Sequence, residues 1–152
     1  MANFEVQFMR FPLLAWNELK RATDGHGCTR IGNERDGGRN WLRLHEVSKA
    51  LGAGFLEKVY ERAMLRELTL RGVSAKTQAS FRVCYKGQYV GEYCADLVVD
   101  EKVIVELKCV DRLGTEHLAQ CINYLKASGL RVALLINSQR PKVEWKRVLL
   151  DP

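Results

Sequence analysis

Residues 132–136 read Val-Ala-Leu-Leu-Ile, five apolar side chains in unbroken succession. A strand with one wet face alternates apolar and polar residues, so a run without alternation belongs to a strand covered on both faces. Ahead of it, Leu118, Cys121, Ile122 and Leu125 recur at helical spacing over residues 115–128. Thr115 is placed to cap that helix and Gly129 to stop it. A doubly covered strand preceded by a helix predicts an α/β domain.

Upstream, the period changes twice. Leu42, Leu44, Val47 and Leu51 are spaced for one helical face, and Gly52-Ala-Gly54 breaks the chain. A longer helix is expected from Phe55 to Arg71, with Phe55, Leu56, Val59, Tyr60, Ala63, Met64 and Leu68 as its apolar stripe and Gly72 as its stop. Phe81, Val83 and Tyr85 then alternate with polar residues, and Lys86-Gly87-Gln88 reads as a tight hairpin turn. Tyr89 to Val99 and Lys102 to Val110 are two further strands joined at Asp100-Glu101, and Val143 to Leu149 alternates once more. The expected order is ααβββαββ. Residues 1–41 differ. Apart from a weakly supported helix over residues 10–22, they hold a glycine-rich run from Thr23 to Asn40 with no period. The chain is therefore expected to divide into an N-terminal extension, residues 1–41, poorly ordered or accessory, and a domain over residues 42–152.

The net charge of +6 is uneven. Residues 1–41 carry six Lys and Arg against five Asp and Glu, and residues 42–152 carry eighteen against thirteen. A basic excess in the folded part favours a polyanionic partner, with simple solubility as the other reading. None of the five cysteines forms a C-x-x-C pair, so a zinc ribbon or iron–sulfur cluster is not indicated. An odd number of thiols in a chain of 152 residues fits a reduced, cytoplasmic setting, with Cys94 and Cys109 read as core. No segment approaches the ~18 apolar residues of a membrane span, and no signal peptide is expected.

The third strand carries the chemistry. In Val103-Ile-Val-Glu-Leu-Lys108 two charged side chains at i and i+2, Glu106 and Lys108, share one face of an apolar strand. On a central strand that burial is costly unless the charges are paired or bind an ion; on an edge strand they would simply be solvated. Asp96 precedes another apolar run ten residues earlier, where Asp is rare in strands, and the short turn between brings it to the same end of the sheet. Two such carboxylates repel unless a cation lies between them, and hard oxygen donors suit Mg²⁺ or Mn²⁺.

Asp96 followed by Glu106-Leu-Lys108 resembles the D…E-x-K signature of the PD-(D/E)XK nuclease superfamily. The αβββαβ order from Phe55 onward is similar to its restriction-endonuclease-like core, a central mixed sheet flanked by helices. Gly54-Phe-Leu-Glu57-Lys-Val-Tyr60 resembles the motif of the GxxExxY family, as do Tyr85-Lys-Gly87, Gly91-Glu-Tyr93-Cys-Ala-Asp96-Leu, Gln120-Cys-Ile-Asn-Tyr124-Leu and Leu134-Leu-Ile-Asn137, over about residues 42–149. The resemblance implies a Mg²⁺- or Mn²⁺-dependent nuclease acting on nucleic acid, by analogy DNA. Glu57, Asp96, Glu106 and the Leu107 carbonyl are its implied metal ligands, Lys108 its catalytic lysine, and Gln120 and Tyr124 a Q-x-x-x-Y pair facing the metals or the strand. Read by charge alone, Lys58, Arg62, Arg66, Arg112 and Lys126 could form a phosphate-tracking rim, with a solvated surface charge as the other reading for each. Tyr89 and Trp145 could stack on bases, although strand packing is the stronger expectation for both. His117 is expected at the surface. The pattern departs at Ser48, where the family often has His, and at Ala53, where it usually has Pro. The alternative is a catalytically inactive nucleic-acid- or protein-binding module on the same fold; oligomeric state is not legible.

Overall fold

The computed structural model describes residues 4–7 and 44–150. The elements run β1 (Phe4–Gln7), α1 (Leu44–Leu51), α2 (Glu57–Leu70), β2 (Ala75–Tyr85), β3 (Gln88–Val99), β4 (Val103–Lys108), α3 (Thr115–Ser128), β5 (Val132–Asn137) and β6 (Glu144–Leu150). From α1 onward this is the order read from periodicity. The glycine-rich run and the helix expected over residues 10–22 lie outside the described residues.

The strands form one mixed sheet in the order β1-β6-β5-β4-β3-β2. β4 and β5 are parallel, joined by α3 as the crossover, and every other neighbouring pair is antiparallel. β1 pairs antiparallel with β6, from Phe4↔Leu150 to Gln7↔Arg147. Four residues from the stretch expected to be accessory thus lie in the sheet.

Two cores cover the two faces. Val103, Val105 and Leu107 of β4 pack with Tyr60, Met64 and Leu68 of α2, while Ile104 packs with Cys121, Tyr124 and Leu125 of α3. β5 is buried at all six positions, as an unbroken apolar run requires.

Local chemistry fixes the ends. The N–H of Val73 and of Arg71 both reach the Leu68 carbonyl at 3.0 Å, with Gly72 at φ +68° closing α2. Lys86 and Gly87, both with positive φ, make the β2–β3 turn. α2 is shorter than its pattern suggested. Phe55 and Leu56 precede it, and Leu56 is 78 % exposed in extended backbone. The buried stripe is Tyr60, Glu61, Met64 and Leu68, so a carboxylate holds a position that apolarity alone would not choose. At α3 the residue in the cap position is Gly114 rather than Thr115, and its N–H donates to His117 Nδ1 at 2.9 Å.

Candidate active site

β3 and β4 pair only at Leu97↔Val105, Val98↔Ile104 and Val99↔Val103. One step further the register sets Asp96 opposite Glu106, and there the strands part, because β3 stays paired with β2 along its length. The Asp96 side chain takes the place of a backbone acceptor: Leu107 N–H donates to its Oδ2 at 2.8 Å. From the α2 side, Glu57 at the helix start accepts the Cys109 N–H at 3.1 Å through Oε1. Two backbone amides of the β4 end are thus held by carboxylates from two other elements.

Glu106 is 2 % exposed. Lys108 Nζ donates to its Oε1 at 2.7 Å, and Oε2 is buried with no hydrogen-bond partner among the described residues. Burial, with the nearby Asp96 charge, outweighs the Lys108 contact and pushes the Glu106 carboxyl up to about 7. Burial also raises Asp96; the Leu107 N–H and Lys108 oppose this, and Glu61 and Glu57 add to it. Burial pulls the Lys108 ammonium down, but Glu106, Glu57 and Asp96 together hold it above its ordinary value.

The structure therefore brings Glu57, Asp96, Glu106 and Lys108 into one electrostatic neighbourhood. Among the described residues no three His, Cys, Asp or Glu side chains are gathered tightly enough to hold a metal ion as they stand. The donor set nonetheless fits a hard divalent cation. Among the described residues a buried carboxylate oxygen lacks a partner, the carboxylates repel one another, and one oxygen each of Asp96 and of Glu57 accepts a backbone N–H.

Gln120 and Tyr124 lie together one turn apart on α3. Gln120 Nε2 donates to Tyr124 Oη at 2.6 Å, and Tyr124 Oη donates to the Cys94 carbonyl at 3.0 Å, tying α3 to β3 two residues before Asp96. Tyr124 is buried, and burial together with the Glu106 charge pushes its phenol up. Of the expected rim, Lys58 is committed elsewhere, with its ammonium on both oxygens of Glu61 at 2.7 and 3.0 Å, while Arg62, Arg66 and Arg112 are exposed. Tyr89 is 53 % exposed instead of packed; Trp145 does pack, half-buried against the α2-side core. Cys94 is exposed, not core, because β3 has parted from β4 by that point and keeps only β2 as a neighbour; Cys109 is half-buried.

Three residues of the site's surroundings were given no role in it by the sequence. Glu61, 4 % exposed, is held by Lys58 and by Gln78 Nε2 at 2.6 Å, and its charge reaches Asp96. Its signal was spacing: it stands three residues before Met64 and seven before Leu68, on their face. Gln78 sits on β2 between the register pairs Thr77↔Leu97 and Ala79↔Ala95, across from Asp96, at φ +52°, a strained value for this residue. No sequence pattern announces it. Asn137, 3 % exposed at the end of β5, accepts the Val110 N–H at 3.1 Å and the Gln139 N–H at 3.3 Å and donates to the Val110 carbonyl at 2.7 Å. It clamps the segment just past Lys108. Asn137→Ala leaves both Val110 backbone groups unpaired and is expected to cost roughly 2–3 kcal/mol in urea unfolding. A loss under about 0.5 kcal/mol would mean that water replaces the clamp.

A mixed sheet with helices on both faces and an acid–acid–lysine cluster where two central strands part is a restriction-endonuclease-like arrangement. The crystal structure of SSO0001 shares the fold, with a TM-score of 0.50 at 14 % identity over 92 % of this chain and 76 % of that one. A comparison with curated proteins returns no match. The profile of the PD-(D/E)XK nuclease superfamily matches residues 42–148, and the chain belongs to that superfamily.

Proposed function

We propose that the protein is a Mg²⁺- or Mn²⁺-dependent nuclease of the GxxExxY type that hydrolyses phosphodiester bonds of DNA, with its site at Glu57, Asp96, Glu106 and Lys108. The observation that carries this reading is the buried, unpartnered Oε2 of Glu106 beside Asp96 and under Lys108. A purely structural ion pair would satisfy that oxygen or replace the pair by apolar side chains at no loss.

Asp96, Glu106, Glu57 and the Leu107 carbonyl would hold the cation. When bound, it supplies Lewis-acid activation of water and of the scissile phosphate. The residues do the rest. The Leu107 and Cys109 N–H groups fix one oxygen of Asp96 and of Glu57, so that each carboxylate has a set orientation. Lys108, raised and therefore protonated at neutral pH, places its ammonium where negative charge grows on the phosphate oxygens. Gln120, half-buried, donates one N–H to Tyr124 and keeps its carbonyl and second N–H for the strand. Tyr124 acts by fixing α3 against β3.

The test is cleavage of end-labelled linear single- and double-stranded DNA with Mg²⁺, Mn²⁺ or EDTA. Cleavage that needs the cation is the expected result, and the product ladder shows whether it starts from ends. Folded protein that binds DNA and leaves it intact in every condition would make this a binding module, with Ser48 the first position to inspect.

A further inference from the structure

The outer half of the β2–β3 hairpin carries a run of exposed aromatic and apolar side chains. Tyr85 is 65 % exposed, Tyr89 53 %, Val90 59 % and Tyr93 37 %. A bare apolar arm of this kind marks a binding surface.

The register sorts these rings onto two faces. Phe81 pairs with Tyr93 and Val83 with Gly91, so the α3-side face shows Tyr93, Phe81, Val83 and Tyr85 in sequence. A bulge between Val83 and Cys84 then turns Tyr89 to the opposite face, where the Arg82 guanidinium lies 5.3 Å from its ring centre. Lys86 Nζ lies 5.4 Å from the centre of the Tyr85 ring.

The α3-side strip is continuous with the site. Tyr93 meets Tyr124 edge-to-face at 5.7 Å, and its hydroxyl accepts from Asn123 at 3.3 Å. Tyr124 in turn holds the Cys94 carbonyl two residues before Asp96. Tyr85 stands four residues beyond the partner of Tyr93, roughly 13 Å along the strand at ~3.3 Å per residue. That is the reach of a few nucleotides.

We propose that the α3-side face of this hairpin is a stacking track for single-stranded nucleic acid leading to the site, with Tyr93 and Tyr85 as base platforms and Lys86 meeting its phosphates. This rests on the nuclease reading and specifies the form of its substrate. Flat rings with a lysine at their outer end suit unpaired bases, whose faces are open; a duplex buries those faces in its own stack. Tyr93 is pinned by Asn123 and Tyr124, so little ordering is lost when a base arrives. A second copy of this chain would prefer a strip free of charges, and this one has a lysine beside its outer ring.

The experiment measures fluorescence anisotropy of labelled oligo-dT, oligo-U and a duplex of equal length, in EDTA so that nothing is cut. Wild type is expected to bind single strands more tightly than duplex. Tyr85→Ala and Tyr93→Ala should each weaken single-strand binding roughly tenfold and leave duplex binding within about twofold. Tyr85→Trp should restore it. Because Tyr93 also touches α3, Tyr85, which has no core contact, carries the decision. Lys86→Gln should make the salt dependence of single-strand binding shallower, by about 0.7 in the log–log slope for the one phosphate it no longer neutralises. Unchanged single-strand affinity in Tyr85→Ala overturns the proposal, as does wild type that prefers duplex or forms a dimer that Tyr85→Ala dissociates. Duplex cleavage in Mg²⁺, measured alongside, reports on the nuclease reading separately: a wild type that cuts duplex but ignores single strands sinks the track alone.

Discussion

Glu106→Gln is expected to lower metal-dependent cleavage by on the order of 10³-fold while leaving the fold as stable as before or more so. The two halves of this result have one cause. The Glu106 carboxylate is buried with one oxygen unpartnered, so the folded chain bears a desolvated charge that Lys108 offsets only in part. The amide has the same shape, still accepts from Lys108, and carries no charge to desolvate. The pH dependence follows. Folding raises the Glu106 carboxyl from its ordinary 4.5 to about 7. Between those values the folded chain holds a proton that the unfolded chain has released. Stability therefore falls as pH rises through that window, by roughly 3 kcal/mol in all, and is flat above it. Urea unfolding in EDTA at pH 5 and pH 8 measures the slope, which should be steep in wild type and shallower in Glu106→Gln, where of these two carboxyls only that of Asp96 is still raised. Equal slopes in the two proteins would mean that Glu106 is not the group that titrates.

Lys108→Ala is expected to lose cleavage by about 10²–10³-fold, since the ammonium that meets the phosphate's growing charge is gone. Lys108→Arg should not rescue it, because a guanidinium fork cannot occupy the point position of an ammonium 2.7 Å from Glu106. Stripping one partner from a buried ion pair costs about 3–5 kcal/mol when the other stays charged. Here Glu106 can take a proton near neutrality instead, so the alanine variant should be folded at pH 6 and lose ground to wild type as pH rises. Circular dichroism at pH 6 establishes folding before cleavage is read. Folded Lys108→Ala that cuts within tenfold of wild type would remove Lys108 from the mechanism.

Most of the domain was legible because its elements carry their own periodicity. The unbroken run at Val132–Ile136 demanded cover on both faces and has it. The alternation at Val103–Leu107 separated Glu106 and Lys108 from the α2-side core, as found. What failed was local. Phe55 and Leu56 looked like the first apolar turn of α2, but the two glycines at positive φ before them hold the chain extended. Cys94 looked like core, since alternation gives a residue's face without saying where a strand parts from a neighbour. Phe4–Gln7 is too short to announce itself, and only its partner β6 makes it a strand.

The site divides the same way. Spacing in the sequence alone placed Asp96, Glu106 and Lys108 at one end of one sheet, through a two-residue period and a short turn; that β4 is a central strand, so that Glu106 is buried, was decided by the tertiary structure. Glu57 entered through a motif, and its contact with the Cys109 N–H spans 52 residues, which no local rule reaches. Glu61, Gln78 and Asn137 were decided by tertiary structure. Each owes its role to a partner from another element: Glu61 to Gln78, and Asn137 to Val110. A side chain's hydrogen-bond partner is set by how whole elements pack, and that packing is the sum of many weak contacts spread over the chain.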